Sequence, residues 1–260
     1  RLGHGEVKDH MFLDGLEDAY DKGRLMGTFA EDCAEKYQFT RQSQDDYALQ
    51  SLSRALDAGG SGVLSNEIAP VTLKTRKGEV TIDADEQPKN ARPEKIPNLK
   101  PAFRDGGTVT AANSSSISDG AAALVLATPD AVADKNLPVR ANILGHASHA
   151  QEPGLFTTAP IQAAQKLMDK LGWSTDDVDL WEVNEAFAVV PMAFARDLNI
   201  DPEKLNIRGG ACALGHPIGA SGTRILVTLL NALETTNKKR GIAAICIGGG
   251  EATAVAIERP

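Results

Sequence analysis

Residues 206–224 combine five glycines with a single histidine, His216. Because glycine adopts positive φ angles and lets backbones approach closely, this density predicts a main chain held tightly just before a helix begins. The pattern also fits a purely structural helix entrance in which His216 satisfies one hydrogen bond. We take His216 as the catalytic candidate because histidine exchanges its proton near neutral pH and a rigid backbone would aim the imidazole.

From about residue 108 onward, apolar segments typical of strands alternate with segments of helical periodicity. Residues 108–112 and 121–127 are predicted to begin a core sheet, which 179–183 and 241–247 continue. A returning strand, 251–257, follows three glycines and is expected to be antiparallel. One face of each intervening helix is apolar (Ile161, Ala164, Met168 and Leu171 after Pro160; Ile225, Leu226, Leu229, Leu230 and Leu233 after the glycines). This order predicts a layered α/β domain with a site at one sheet edge.

Two further elements are predicted between these strands. Val139, Ala141 and Ile143 alternate as in a strand, and residues 185–196 are expected to form a helix kinked at Pro191. The nearby histidines, His146 and His149, are assigned to a loop without enough partners for a metal. No metal site is predicted.

The first hundred residues are polar, rich in helical periodicity and poor in strand signals. Two helices are predicted from their apolar faces, the second capped by Thr40 and ended by two glycines (Ala30, Cys33, Ala34 and Tyr37; Ala48, Leu52, Ala55 and Leu56). Residues 71–82 predict a short hairpin, and 83–103 are expected to be irregular. This region is interpreted as an accessory part that covers a site or mediates assembly.

The composition narrows the classes of partner. A net charge of −8 and a pI near 5.2 argue against a nucleic-acid or anionic-membrane surface and favour a small molecule. Three cysteines without paired spacing favour a reducing, cytoplasmic location. No apolar run is long enough to predict a membrane span. The chain begins at Arg1 with no methionine, so we expect it to be part of a longer polypeptide.

Three polar residues lie at predicted junctions of strand and loop: Asn184, His216 and Cys246. Cys246 precedes three glycines whose backbone N–H groups could stabilise a thiolate or an oxyanion, although a lone cysteine is equally often a small buried apolar residue. Asn184 could be an ordinary turn residue. Cys33 and Cys212 are interpreted as packing residues.

Nucleotide binding is not predicted. Gly210 and Gly215 have P-loop spacing, but His216 and Pro217 stand where such a loop needs Lys and then Ser or Thr. The glycines also do not fit the dinucleotide fingerprint. These mismatches argue against ATP, GTP and NAD. No tightly bound cofactor is expected.

Five segments together resemble the thiolase family, the acetyl-CoA acetyltransferases and 3-ketoacyl-CoA thiolases: 9–16, 109–123, 184–188, 209–219 and 246–250. The resemblance implies a thiolase-like layered α/β/α fold with an α-rich loop domain and an incomplete N-terminal half. It implies a loop domain at 1–107, the last strands of the N-terminal half at 108–137, and the C-terminal half at 138–260.

The resemblance also implies roles for single residues. His216 would activate the nucleophile and, with a water held by Asn184, polarise a thioester oxygen. Cys246 would move the α-carbon proton, and the Gly248 N–H would contribute to a second oxyanion hole. Further residues match positions along the pantetheine and acyl path (Leu16, Met26, Ala111, Ser115, Ala186 and Phe187).

The implied reaction is the reversible Claisen condensation and thiolysis that links acetyl-CoA, CoA and 3-ketoacyl-CoA. The implied assembly is a homodimer or homotetramer. The acylated cysteine of the family is expected to precede Arg1, so the 260-residue chain alone is predicted to be inactive. Leu25-Met26, where many biosynthetic members have His-Met, and Arg208 leave the acyl-chain preference open. The alternative is a non-catalytic thiolase-like protein that binds acyl-CoA or lipid.

Overall fold

The computed structural model describes residues 2–260. Its α-helices and strands, in chain order, are α1 Met26–Tyr37, α2 Arg41–Gly60, β1 Val71–Thr75, β2 Gly78–Ile82, α3 Gln87–Asn90, α4 Pro129–Lys135, β3 Asn142–Ala150, α5 Ala159–Leu171, β4 Leu180–Val183, α6 Val189–Asp197, α7 Ala211–Leu214, α8 Ile218–Thr235, β5 Arg240–Ile247 and β6 Glu251–Glu258. Within this part of the chain, no helix has the length and apolarity needed to cross a membrane.

The main sheet has four strands in the order β3, β6, β5, β4. β6 is antiparallel to both of its neighbours, and β4 runs parallel to β5. Successive side chains of a strand point to opposite faces of the sheet, and those of β4 are buried on both. Helices therefore cover both faces. Leu180 packs with α8, whereas Trp181 packs with the cluster that contains α5 and α6. The predicted layered α/β arrangement and the strands at 179–183, 241–247 and 251–257 are confirmed.

The helices of the first region also follow their predicted faces. Thr40 caps α2 by accepting a hydrogen bond from the Ser43 N–H at 3.0 Å. Leu56, however, is 43% exposed, so its assignment to the buried stripe was wrong. α2 packs against α7 through Leu52 and Ala55. This narrow contact leaves Leu56 facing outward.

The predicted hairpin at 71–82 forms from β1 and β2, with Gly78 at a φ of 122°. All ten strand residues are exposed. The segment that follows is not wholly irregular, since it contains α3 and a 3₁₀ turn at Pro93–Asn98.

The strands predicted at 108–112 and 121–127 do not form. A strand needs a neighbour for its backbone hydrogen bonds, and the main sheet has β3 and β4 at its edges instead. Val125 and Leu126 are 94% and 73% exposed. Strands at 108–137 are thus absent from the described residues, whereas the proposed domain boundaries stay a prediction.

Four local expectations were also wrong. The strand at Val139 begins only at Asn142, and it includes both His146 and His149, which are therefore not in a loop. The helix expected from residue 185 begins at Val189. Pro191 consequently lies in the first turn, where a missing N–H costs no helical hydrogen bond and causes no kink.

The glycine stretch lies against α2. Gly209 has a φ of 76°, and a Cβ there would lie 2.5 Å from the Ser51 carbonyl oxygen and 2.8 Å from the Ala55 Cβ. A Cβ at Gly210 would overlap the Glu185 carboxylate. These two glycines are needed because another element occupies the space that a side chain would fill. By contrast, nothing lies within 4 Å of a Cβ placed on Gly222.

We expect Gly209→Ala to lower the free energy of unfolding by about 2 kcal/mol or more, because it combines a positive φ with a clash against α2. The control, Gly222→Ala, changes an interior position of α8 that is open and should be neutral or stabilising by up to about 1 kcal/mol. Urea unfolding of both variants measures the difference. Equal stabilities would contradict the close-packing explanation.

Candidate active site

Asn184 follows β4 and is fully buried. Its backbone N–H donates to the Ala244 carbonyl at 3.0 Å, which extends the contact with β5 by one residue. Its side-chain Oδ1 is buried and has no hydrogen-bond partner within residues 2–260. A buried acceptor without a partner is costly, so this oxygen is suited to receive a donor from a water or a ligand.

His216 lies at the entrance to α8, between a glycine and a proline. Gly215 has a φ of 94°, and a Cβ there would overlap the Ser118 hydroxyl. The His216 backbone N–H donates to the Ser116 carbonyl at 3.1 Å. The loop at 113–118 therefore holds the backbone of the histidine from outside the helix.

Both nitrogens of the His216 imidazole have partners. Asn184 Nδ2 lies 3.3 Å from Nε2, and Ser221 Oγ lies 2.6 Å from Nδ1. The Ser221 hydroxyl donates to the Pro217 carbonyl at 3.1 Å, so it accepts from the imidazole. These two hydrogen bonds of Ser221 place the imidazole proton on Nδ1. The lone pair is then on Nε2, the nitrogen that faces Asn184.

Burial, with a smaller contribution from the positive charge of Arg224, lowers the pKa of His216 to about 4. The imidazole is therefore neutral at neutral pH. A neutral ring with its lone pair on Nε2 can accept a proton and then donate it from the same atom.

Cys246 lies near the end of β5, opposite Ala252 of β6. It is 8% exposed, and burial raises the pKa of its thiol to about 12. Of these three side chains, Asn184 and His216 are hydrogen-bonded to each other, and Cys246 bonds neither of them within residues 2–260. Gly248 is exposed in the turn after β5, and Met26 Sδ would lie 3.3 Å from a Cβ at that position.

The other two cysteines are packed. Burial raises the pKa of Cys33 to about 11, and its thiol contacts Thr157. The backbone N–H of Cys212 donates to Glu185 at 3.0 Å, and burial raises the pKa of its thiol well above the ordinary value. Neither environment favours a thiolate nucleophile.

The residues predicted to line the substrate path are spread over three segments. Ser115 bonds the Ala186 carbonyl through both its N–H and its hydroxyl, each at 3.0 Å. Phe187 is buried and forms an edge-to-face pair with Phe103. Ala111 is exposed, and Leu16 is partly buried like Met26.

Residues 15–26 reach two loops of the candidate site. Ile218, two residues after the histidine, lies 3.1 Å from a Cβ placed on Gly15. Tyr20 lies 3.8 Å from one placed on Gly249. Residues 15–26 therefore lie beside the turn that carries Gly248 and the start of α8.

Glu185 was missed by sequence reasoning. It is fully buried and accepts four hydrogen bonds, from Tyr47 at 2.9 Å, Ser51 at 2.7 Å, Asn206 at 2.9 Å and the Cys212 N–H at 3.0 Å. Its carboxylate joins the Asn184 loop to α2 and to the glycine stretch. A charged residue within the apolar run from 180 to 194 is the signal that could have revealed it.

Comparison with known proteins identifies the family. Residues 1–130 match the family described as "Thiolase, N-terminal domain", and residues 137–259 match "Thiolase, C-terminal domain". A probable acetyl-CoA acetyltransferase of Dictyostelium discoideum is 47% identical over 260 residues, which are all of this chain and 63% of that protein.

Two solved structures are also similar over the whole chain. The acetyl-CoA acetyltransferase of Bacillus anthracis has a TM-score of 0.95 and 41% identity, and the chain covers 66% of it. The Acat5 thiolase of Ascaris suum, solved in complex with coenzyme A, has a TM-score of 0.91 and 42% identity, with 68% covered. The thiolase-like α/β fold is thus confirmed. The chain spans about two thirds of the length of these proteins and belongs to the thiolase family.

Proposed function

We propose that this chain carries the acid/base half of a CoA-dependent acyltransferase site, which interconverts two acetyl-CoA molecules with acetoacetyl-CoA and CoA. The contact of 3.3 Å between Asn184 Nδ2 and His216 Nε2 is the observation that carries the proposal. It joins a buried amide, whose oxygen has no partner within residues 2–260, to an imidazole whose Nε2 lone pair faces the nitrogen of that amide.

His216 has two successive tasks in this proposal. Its Nε2 accepts the proton of a cysteine thiol outside this chain, and the resulting thiolate attacks the keto carbon of acetoacetyl-CoA. The Nε2–H then donates to a thioester oxygen, together with a water bound at Asn184 Oδ1. Two donors at that oxygen would stabilise the negative charge that develops there.

Cys246 supplies the second proton transfer. In thiolysis, the bond between the α-carbon and the keto carbon breaks, the acetyl group stays on the nucleophile, and an acetyl-CoA enolate leaves. The Cys246 thiol gives its proton to the α-carbon of that enolate. A thiol whose pKa is raised to about 12 by burial holds its proton until such a strong base forms beside it. The Gly248 N–H would stabilise the oxyanion that forms on the former keto oxygen when the thiolate attacks. CoA then gives its thiol proton to the Cys246 thiolate and takes the acetyl group from the nucleophilic cysteine, which regains its proton from His216.

CoA thioesters are the proposed substrates, with no tightly bound cofactor. The pantetheine arm would follow the residues near Ser115, Ala186 and Phe187, and the acyl group would lie near Met26 beside Gly248. Support for the acetyl group comes from the acetyl-CoA acetyltransferases among the relatives. A homodimer or homotetramer and a cytoplasmic location complete the proposal.

A chimera tests the activity. Its N-terminal segment is the part of the Dictyostelium discoideum relative that precedes the matched region, joined to Arg1. We expect the chimera to catalyse thiolysis of acetoacetyl-CoA and the 260-residue chain alone to lack activity. Cys246→Ser and His216→Asn should each lower the kcat of the chimera by about 100-fold or more, since each removes a proton-transfer group.

Cys212→Ser is the matched control and should keep kcat within a few-fold, because Cys212 is packed against Glu185. Thiolysis by the 260-residue chain alone would show that the nucleophile need not come from a segment outside this chain. A folded chimera that binds CoA in calorimetry but shows no turnover would favour the alternative, a non-catalytic protein that binds acyl-CoA.

The buried histidine also predicts a pH dependence of stability. The unfolded chain protonates His216 near pH 6.5, whereas burial keeps the pKa in the folded state at about 4. As the pH falls below 6.5, protons stabilise the unfolded state first, so the contribution of neutral His216 to stability is lost towards pH 4. Between about pH 7.5 and about pH 5 this loss amounts to about 2 kcal/mol.

Urea unfolding at about pH 7.5 and about pH 5 measures this loss of stability. The His216→Asn variant should lose about 2 kcal/mol less than the unmodified chain over this interval. The control, His146→Asn, changes an exposed histidine and should behave like the unmodified chain. The same pH dependence in all three proteins would contradict a buried neutral imidazole.

A further inference from the structure

The two side chains of the candidate site come from different elements. Asn184 follows β4, and His216 precedes α8. Their separation of 3.3 Å is long for a hydrogen bond, so a small shift of α8 relative to β4 would break the contact. Something must therefore fix the distance between the end of β4 and the entrance of α8.

A buried ion pair joins the same two elements. Arg224 of α8 donates to Glu182 of β4 at 2.9 Å, and their side chains are 20% and 2% exposed. Glu182 lies two residues before Asn184, on the face of the sheet that α8 covers. Arg224 lies three residues after Ser221, about one helical turn further along α8. The ion pair is thus a second contact between β4 and α8, next to the contact between Asn184 and His216.

The surroundings keep the guanidinium of Arg224 in place. Two further carboxylates, Glu67 and Asp85, are near enough for its positive charge to lower the pKa that burial raises in each of them. Glu67 is itself held by Thr228 and Asn231 of α8, both at 3.0 Å. Turning the guanidinium away would leave the Glu182 carboxylate, which is 2% exposed, without its partner.

The charge of Arg224 also reaches the site. It is the second cause, after burial, of the lowered pKa of His216. Burial raises the pKa of Glu182 to about 8, and Arg224 is the largest opposing influence, which favours the carboxylate form. A well-packed apolar pair could hold two elements together at lower cost, because desolvating two charges is expensive. We therefore interpret this ion pair as one that orients a neighbouring group and sets its electrostatic environment, and not only as a source of stability.

We propose that Arg224, through its ion pair with Glu182, is a positioning residue for His216 and fixes the orientation in which Nε2 faces Asn184. This inference deepens the proposed function, but it concerns the imidazole itself and can be tested without substrate. Histidine NMR on the 260-residue chain reports both the tautomer and the pKa of the ring. His216→Asn identifies the His216 signals among those of the five histidines.

In Arg224→Met we expect the single tautomer with its proton on Nδ1 to become a mixture, because α8 is no longer held against β4. We also expect the pKa of His216 to rise by about 0.5 pH unit or more, since a nearby positive charge is removed. Arg224→Lys keeps the charge and should restore most of the pKa shift. The matched control is Arg140→Met, which breaks an exposed pair with Glu234 near the other end of α8 and should change neither signal.

Arg224→Met leaves Glu182 buried without a partner and could fail to fold. The double variant Glu182→Gln/Arg224→Met removes the buried carboxylate together with its partner, so it is expected to fold and to show the same changes at His216. Wild-type tautomer and pKa in a folded Arg224 variant would overturn the proposal. The two proposals can fail separately. If the chimera is inactive but the Arg224 variants of the 260-residue chain show altered His216 signals, the proposed function is overturned and this inference stands.

Discussion

The carboxylate of Glu185 is the constraint on which the arrangement of this chain depends. A buried charge is tolerated only where its lone pairs are satisfied, and Glu185 obtains its four donors from α2, from Asn206 and from the glycine stretch. Removing any of these segments would leave the charge partly unsatisfied. The helical region near the start of the chain is therefore part of the support of the candidate site.

This constraint also explains the glycines. Gly210 has no side chain because the Glu185 carboxylate fills that space, and Gly209 lies against the backbone of α2. The glycine-rich stretch is thus a packing surface for α2 and Glu185 at its beginning and a mount for His216 at its end. Interpreting all five glycines as a frame for the histidine was too simple.

Burial acts on the two proton-transfer candidates in opposite directions. It lowers the pKa of His216 and raises the pKa of Cys246, so both groups are uncharged at neutral pH. The reason is the same for both, since a low-dielectric environment disfavours whichever form carries charge. A resting site without charges suits the proposed chemistry, in which negative charge appears on substrate oxygens only during the reaction.

The sequence alone determined the types of most elements and predicted the residues of the candidate site. Periodicity predicted α1, α2, α5, α8 and the strands β4, β5 and β6, because local spacing reveals which face is buried. The residue types of Asn184, His216 and Cys246 at strand and helix ends pointed to a shared edge of the sheet. Of these three, direct contact is seen between Asn184 and His216.

Only the tertiary structure decided the rest. Whether residues 108–112 and 121–127 become strands depends on neighbours that local sequence does not specify, and among the described residues they have none. The hydrogen bonds of Glu185 and the ion pair of Glu182 with Arg224 join residues that are 21 to 138 positions apart. Such partners, and with them the tautomer of His216, follow from packing in three dimensions and carry no periodic signal in the chain.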